Sequence, residues 1–186
     1  MEENQLKKAM DRIKVAKNFY LDEFLDPRTY FYAENNGLNL INGSLFKIAQ
    51  KLREKYGKPI YINNWWWYFN MHKEGCNIPN IIEDIEYMNK QGEFNIWSGY
   101  RSRECEIGAL FSAHRYGMAI DPKGDENKMY EIISGNRKEF YNLGVRRLED
   151  ISITPGWLHI DILERNTKPD SIRVVDLRTS TKTLHC

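Results

Sequence analysis

The 186-residue chain contains few cysteines, and their spacing argues against the sites that thiols usually build. There are three, Cys76, Cys105 and Cys186, an odd number with no Cys-x-x-Cys pair. Disulfide frameworks normally use an even number of cysteines, and thiolate metal sites use closely spaced pairs. We therefore expect three reduced thiols with mainly structural roles.

The sequence also lacks long apolar runs and an excess of charge of one sign. No stretch approaches the roughly 18 apolar residues that a membrane-spanning helix needs. Its 27 basic and 26 acidic residues give a formal net charge of +1, which argues against bulk electrostatic binding to nucleic acid. We expect no nucleic-acid partner, no stable membrane insertion and a monomeric protein.

A secretory signal is absent from the first residues as well. Residues 1–6, MEENQL, have neither the basic start nor the apolar segment of such a signal. We expect the protein to be made in the cytoplasm.

The length fits one domain that is large enough to bury a core without disulfide bonds. We predict an α+β domain over residues 21–165, preceded by a helical extension at 1–20 and followed by a tail at 166–186. Periodicity and capping residues predict helices at 5–18, 44–56 and 79–92. They also predict a helix that is capped by Asp125 and carries Met129, Ile132 and Ile133, and a short helix that starts at Asn136 and stops at Gly144. Alternation predicts strands at 59–62, 94–97, 145–149, 157–163 and 172–177, with turns at 26–29 and 35–37.

One motif, SAHRYGMAID at residues 112–121, carries residue types that bind metals. His114 and Asp121 are seven residues apart and cannot share a helical face, so the spacing suits a loop that enters a strand. Gly117 between them can take a positive φ or allow a close backbone approach. His159, in the later segment WLHID, would complete a set of two histidines and one carboxylate. Such a set, with a fourth position open to water, is typical of catalytic zinc.

These motifs resemble the D-Ala-D-Ala carboxypeptidase and hedgehog-type zinc peptidases, which cut peptidoglycan stem peptides. The pattern S-x-H-x-x-G-x-A-x-D is followed by W-x-H, and SGYRS at 98–102 is similar to a further family segment. The resemblance runs roughly from residue 24 to residue 162. It implies an antiparallel sheet with helices on one face and a zinc cleft on the other.

The resemblance also implies roles for single residues. His114, Asp121 and His159 would bind one zinc ion per chain. Arg101 and Ser112 would contact the substrate, and we add Trp157 as a further substrate contact. For Arg101 two interpretations remain, a guanidinium that holds a peptide carboxylate in a bidentate pair and an exposed arginine of a turn.

The chain departs from the family pattern at the general base. Family enzymes often place a glutamate three residues before the last histidine ligand, where this chain has Gly156. Other relatives place a histidine two residues before it, where this chain has Trp157. The base must come from another position, or the protein does not catalyse.

Strand alternation suggests where that base lies. The strand at 157–163 would turn its even-numbered residues to the core and Trp157, His159 and Asp161 to the other face. If Leu148 of the preceding strand packs into the same core, then Val145, Arg147 and Glu149 share the face of His159.

A register that pairs Glu149 with Trp157 would make Glu149 a diagonal neighbour of His159. We therefore take Glu149 as the candidate general base. Asp161 is the second catalytic candidate, better suited to orienting a ligand histidine or a substrate amine. The alternative for Glu149 is a surface salt bridge with Arg146 or Arg147.

The aromatic run WWWY at 65–68 is the other unusual feature. Three adjacent indoles cannot all face one core, so at least one should line a cleft and stack on a sugar or peptide. Rim packing around a small core is the equal alternative.

The resemblance thus predicts a zinc-dependent peptidase of D-Ala-D-Ala carboxypeptidase or L-Ala-D-Glu endopeptidase type, hydrolysing peptidoglycan stem or cross-link peptides. Without a secretion signal, it would act on the cell wall after release in phage or prophage lysis, or as part of a virion. The alternative is a non-catalytic zinc-bearing module that binds the wall or has a structural role in the virion.

Overall fold

The computed structural model describes residues 12–75, 77–102, 105, 111–164, 170–175 and 182–185. Within them the chain forms six α-helices and two small sheets, which confirms the α+β class. None of the helices in these ranges is long and apolar enough to cross a membrane. Cys105 is a buried thiol, and Cys76 and Cys186 lie outside the described residues.

The helices are α1 (Pro27–Tyr32), α2 (Ser44–Tyr56), α3 (Trp66–His72), α4 (Ile78–Lys90), α5 (Glu126–Gly135) and α6 (Arg137–Leu143). The strands are β1 (Lys14–Ala16), β2 (Phe19–Tyr20), β3 (Ala119–Ile120), β4 (Arg147–Glu149), β5 (Ile160–Asp161), β6 (Ser171–Val175) and β7 (Lys182–His185). The predicted helices at 44–56 and 79–92 are confirmed to within a residue or two, and the helices predicted after Asp125 and from Asn136 are also present.

The larger sheet has the strand order β3-β5-β4-β6-β7. β5 is antiparallel to both β3 and β4, so it lies between them. β6 runs parallel to β4, and β7 is antiparallel to β6. The prediction of an antiparallel sheet is therefore wrong for the β4–β6 pair, whose alignment depends on contacts between distant segments.

The main core lies between this sheet and helices α2, α5 and α6, which present their periodic apolar residues to it. Ile172 and Val174 of β6 are buried in the same core, so the described part of the predicted tail is packed against the domain. The core contains Leu45, Ile48, Ala49 and Leu52 from α2, Met129 and Ile133 from α5, Phe140 from α6, Leu148 from β4, Ile160 from β5, and Leu158 just before β5.

A second apolar cluster lies between α1, α3 and α4. It contains Trp65, Phe69 and four isoleucines of the α4 segment, and Phe94 and Ile96 close it from the following loop. The predicted strand at 94–97 is wrong, because this segment is an irregular stretch held by its side chains in the cluster. The predicted strand at 59–62 is reduced to a single bridge between Tyr61 and Lys123.

The helix predicted at 5–18 is wrong for the part that lies within the described residues. Residues 5–11 of the predicted helix lie outside the described residues, and Lys14–Ala16 is a strand that pairs with β2. Arg12 explains this local fold, since its guanidinium makes two hydrogen bonds to the buried carboxylate of Asp22. The hairpin buries Phe19 fully in the main core.

Two predicted turns are helical instead. Asp26 caps α1 by accepting a hydrogen bond from the Thr29 backbone N–H at 2.9 Å, and Pro27 occupies the first helical position, where its missing N–H costs nothing. Residues 35–37 lie inside the 3₁₀ helix Glu34–Leu40.

Gly117 and Gly99 bring the loops of the motif segments against the helical part of the domain. Gly117 has φ +63°, and a β carbon there would lie 1.7 Å from the Leu40 carbonyl oxygen. A β carbon at Gly99 would lie 2.2 Å from the carbonyl oxygen of Phe24. Both features predicted for Gly117, a positive φ and a close approach, are present.

We expect Gly117→Ala to destabilise the fold far more than the same change at Gly57, a helix-ending glycine with φ +73° and no atom near its missing β carbon. Gly57→Ala should cost about 1–2 kcal/mol, the penalty of left-handed backbone alone. Gly117→Ala adds a collision with backbone. Denaturant unfolding of both variants measures the difference, and equal losses would show that the close approach is unimportant.

Candidate metal centre

His114, Asp121 and His159 lie together in the structure, as predicted. One ligand atom from each lies within 4.8 Å of the other two, and all three residues are buried. His114 belongs to the 3₁₀ turn Ala113–Tyr116, whereas Asp121 directly follows β3 and His159 directly precedes β5. Because β3 and β5 are antiparallel neighbours with Ile120 opposite Ile160, Asp121 and His159 come side by side.

The backbone determines which nitrogen of His114 is available. Its Nδ1 lies 2.7 Å from the carbonyl oxygen of Gly99, which can only accept, so Nδ1 carries the proton. Nε2 then has a free lone pair. This nitrogen lies 3.2 Å from Asp121 Oδ1 and 3.2 Å from His159 Nδ1, and the latter two atoms are 2.7 Å apart. Two imidazole nitrogens and a carboxylate oxygen therefore converge on one point, a donor set that fits a divalent metal ion.

The charges at this point favour a cation. Burial by itself would raise the pKa of Asp121, but the neighbouring imidazoles of His114 and His159 hold that pKa well below its usual range. Burial lowers the pKa of His114. Burial would also lower the pKa of His159, but the hydrogen bonds of His159 to Asp121 and Asp161 raise this pKa to about 9. Without a metal, the cluster therefore contains an ionised carboxylate beside a proton that a metal ion could replace.

Asp161 lies behind His159. Its Oδ2 is 3.5 Å from His159 Nε2, on the side of the ring away from the ligand nitrogen. A carboxylate in this place orients a ligand imidazole and raises its basicity. Asp161 is 1% exposed and also accepts a hydrogen bond from Leu163, so it is a fixed part of the site.

Arg147 is a site residue that sequence reasoning did not select. Its Nε donates a hydrogen bond to Asp161 Oδ2, and its Nη2 lies 3.1 Å from His159 Nε2. Alternation along 145–149 had already placed Arg147 on the face of His159, and that signal could have identified it.

Arg101 is 13% exposed, so the interpretation as an exposed turn arginine is wrong. Its Nε donates to the Trp97 carbonyl at 2.7 Å, and its Nη2 donates to Asp121 Oδ2 at 2.9 Å. Arg101 thus holds one oxygen of the carboxylate, while the other oxygen faces the two imidazoles.

Glu149 lies beside His159, though in a different register from the one predicted. Pairing of Arg147 with Asp161 and of Leu148 with Ile160 puts Glu149 across from His159, and the Glu149 N–H donates to the His159 carbonyl at 3.3 Å. The predicted pairing with Trp157 is therefore wrong by two residues. A shift of two keeps every side chain on its face, so the prediction that Glu149 and His159 share a face survives.

The remaining contacts of Glu149 are mixed. Its side chain is 23% exposed, and its Oε1 lies 3.9 Å from Arg147 Nη2, so the salt bridge considered as an alternative is present. Val145 does not share this face. It is fully buried in the main core, because it lies just after α6, where its N–H donates to the Phe140 carbonyl.

The other candidate residues lie around the centre. Ser112 precedes the 3₁₀ turn, and its carbonyl accepts from the Arg115 N–H at 3.0 Å. Trp157 forms a backbone β-bridge with Lys123. The Lys123 ammonium lies 4.5 Å from the centroid of the Trp157 ring. Gly156 has φ +90°, so a glutamate at this position would adopt a strained backbone.

We expect the folded protein to bind about one divalent ion per chain through His114, Asp121 and His159. His114→Ala and His159→Ala should each abolish stoichiometric binding, whereas His72→Ala, at an exposed histidine of α3, should not. Elemental analysis after reconstitution and dialysis measures this. Metal at 100 times its dissociation constant should add about 2.7 kcal/mol of stability, and stripping it should lower Tm. Unchanged metal content in His114→Ala would contradict the assignment.

Comparisons with known proteins identify no family. The sequence matches no protein-family model, and no solved structure matches it. It is 28% identical over 95 residues to an adenine deaminase of Gibberella zeae. The similar region covers 50% of this chain and 26% of the deaminase, so the chain spans about a quarter of the length of that relative.

Proposed function

We propose that the protein is a zinc-dependent peptidase that hydrolyses peptidoglycan stem or cross-link peptides. The observation that carries the proposal is the buried cluster of two imidazole nitrogens and one carboxylate oxygen at His114, His159 and Asp121. Catalytic zinc sites use three such protein ligands, and imidazole favours zinc over magnesium or calcium. Zinc bound here would lower the pKa of a water ligand and polarise a scissile carbonyl.

The surrounding residues divide the remaining tasks. Glu149, on the strand beside His159, accepts the proton of the attacking water and passes it to the leaving amine. Asp161 and Arg147 keep the His159 ring in place from behind. Arg101 holds Asp121 and offers a planar guanidinium to a carboxylate of the peptide.

A second candidate function is a zinc-bearing module that binds the cell wall, or has a structural role in a virion, without hydrolysis. Gly156 favours this second function, because it occupies the usual position of the general base and has no side chain. Its φ of +90° also makes the backbone unfavourable for a residue with a side chain. Adenine deamination is a third, suggested by the partial similarity to the fungal deaminase.

Digestion of defined stem peptides and cross-linked muropeptides, followed by mass spectrometry, separates these functions. The proposal expects a single peptide bond to be cut by the metal-loaded protein and not by the chelated protein or by His114→Ala. Intact peptides that nevertheless bind would favour the module. Ammonia released from adenine would favour the deaminase.

We expect Glu149→Gln to lower peptidase activity by about a hundred- to ten-thousandfold, the usual contribution of a positioned general base. Metal content and Tm should stay close to those of the wild type, since the amide has the same shape. Glu164→Gln is a matched control, because Glu164 is largely exposed and paired with Arg146. Full activity in Glu149→Gln would mean that another group is the base.

Arg101→Lys tests the carboxylate clamp. The lysine keeps the charge but loses the two-pronged geometry, so kcat/KM should fall about 10- to 100-fold for peptides with a free carboxylate. Matched peptides with an amidated carboxyl terminus should be affected much less. An equal loss for both peptides, with reduced metal content, would show that Arg101 acts only by holding Asp121.

A further inference from the structure

A cavity of about 340 Å³ lies apart from the metal centre. It forms where the β1–β2 hairpin, the end of α2, residues 59–64 and the start of α3 meet, and none of the three candidate ligands lines it. We call it the aromatic pocket, after the rings of Tyr20, Tyr61, Trp66 and Trp67 in its wall. The volume suits a small ligand.

The residues of the aromatic run at 65–68 differ in their relation to this pocket. Trp65 is fully buried and donates its indole N–H to the Leu25 carbonyl, which makes it a core residue. Trp67 in the pocket wall is 47% exposed, and Tyr61 beside it is 54% exposed. The run is therefore split, with Trp65 in the core and Trp66 and Trp67 in the wall of the pocket.

Exposed aromatic rings in a pocket provide stacking surface. Tyr20 and Trp66 are partly covered by Arg12, whose guanidinium carbon lies 4.0 Å and 5.1 Å from their ring centroids. Tyr61 and Trp67 have no such cation over them among the described residues. Their faces, which carry the negative part of the ring quadrupole, suit the C–H groups of a ligand.

Two polar side chains of the pocket wall, Asn64 and Glu23, are oriented by hydrogen bonds to the backbone. Asn64 Oδ1 accepts from the Asn95 backbone N–H at 2.7 Å, which leaves its amide NH₂ as the group that can donate to a ligand. Glu23 Oε1 accepts from the Tyr20 N–H at 3.1 Å. Burial raises the pKa of Glu23 to about 7, so near neutral pH its carboxyl exists in both forms and can donate or accept.

The charge of the wall is nearly balanced. Arg12 makes two hydrogen bonds to Asp22, of 2.9 Å and 2.6 Å, and its Nη2 also lies 3.9 Å from Glu23 Oε1. Arg53 is the second cation of the wall, so two arginines face two carboxyl groups. The pocket therefore has no strong preference for an anion or a cation. Its amide and carboxyl groups also disfavour a purely apolar ligand, because they would be left unpaired.

We propose that the aromatic pocket binds a hexopyranose unit of a neutral oligosaccharide. Tyr61 and Trp67 stack on the C–H face of the sugar ring, and Asn64 and Glu23 bond its hydroxyl groups. This ligand has an apolar face and a polar rim, which match the two kinds of group in the wall.

The pocket is connected to the metal centre through the backbone. Tyr61 and Lys123 exchange hydrogen bonds of 3.2 Å and 2.6 Å, and Lys123 bridges in turn to Trp157, two residues before His159. The Asn63 side chain accepts from the Ser98 N–H, and the Ser98 carbonyl accepts from the Asp121 N–H. A sugar stacked on Tyr61 would therefore contact a segment that is hydrogen-bonded to the residues just before His159. This connection does not depend on which reaction occurs at the metal centre.

The test is calorimetric titration of the full chain with chitotriose, cellotriose and maltotriose, once metal-loaded and once with EDTA. We expect saturable binding of at least one trisaccharide with a stoichiometry near one, and the same affinity after chelation. Binding in EDTA is independent of any peptidase activity, so failure of the proposed function leaves this result unaffected.

Tyr61→Ala and Trp67→Ala should each weaken sugar binding roughly tenfold, the loss expected for one aromatic contact. Tyr87→Ala is the control, because Tyr87 is 63% exposed on α4, outside the pocket. Thermal melting confirms that the variants fold, and Asn64→Asp gives a second probe with little change in shape. The proposal is overturned if none of the three sugars binds at millimolar concentration. It is also overturned if Tyr61→Ala and Trp67→Ala bind sugar as tightly as the wild type does.

Discussion

The ionised carboxylate of Asp121 is the group on which the candidate site depends, because a charge buried this deeply must be matched by partners. One oxygen faces the imidazoles of His114 and His159, and the other accepts from Arg101. These three partners come from three separate segments of the chain. Removal of one would leave a buried charge partly unpaired, a change that typically costs about 3–5 kcal/mol. Assembly of the site therefore contributes to the stability of the fold.

The helical part of the domain places these segments by direct backbone contact. The loop with Gly99, whose carbonyl determines the tautomer of His114, lies against the backbone of Phe24. The turn that carries His114 is packed through Gly117 against Leu40. Two positions without a side chain thus let the loops approach more closely than any other residue would allow. The precision of the site comes from this packing, since the strands next to its ligands are only two or three residues long.

Local signals in the sequence predicted what local interactions determine. Helices α2, α4, α5 and α6 follow from apolar periodicity and from caps such as Asp125, which accepts a hydrogen bond from the Lys128 N–H. The convergence of His114, Asp121 and His159 followed from their spacing and from the motif. The shared face of Glu149 and His159 also held, because a strand has a period of two whatever its register.

Long-range contacts determined the rest and could not be predicted from the sequence. The pairing of Arg12 with Asp22 favours a hairpin where periodicity favoured a helix. The register of β4 and β5 depends on how Leu148 and Ile160 meet in the core. The attachment of Arg101 to Asp121 joins residues of two loops, and only the fold brings them together.

The parallel pairing of β4 with β6 has a consequence for the protein during its synthesis. β4 carries Arg147 and Glu149, and one of its two neighbours in the sheet is β6, which is synthesised only after the intervening residues 150–170. Until residues 171–175 have emerged, β4 has an open edge whose N–H and C=O groups can pair with other chains. His159 itself follows most of the domain core in the sequence. The three candidate ligands therefore cannot come together in a nascent chain before residue 159 has been made.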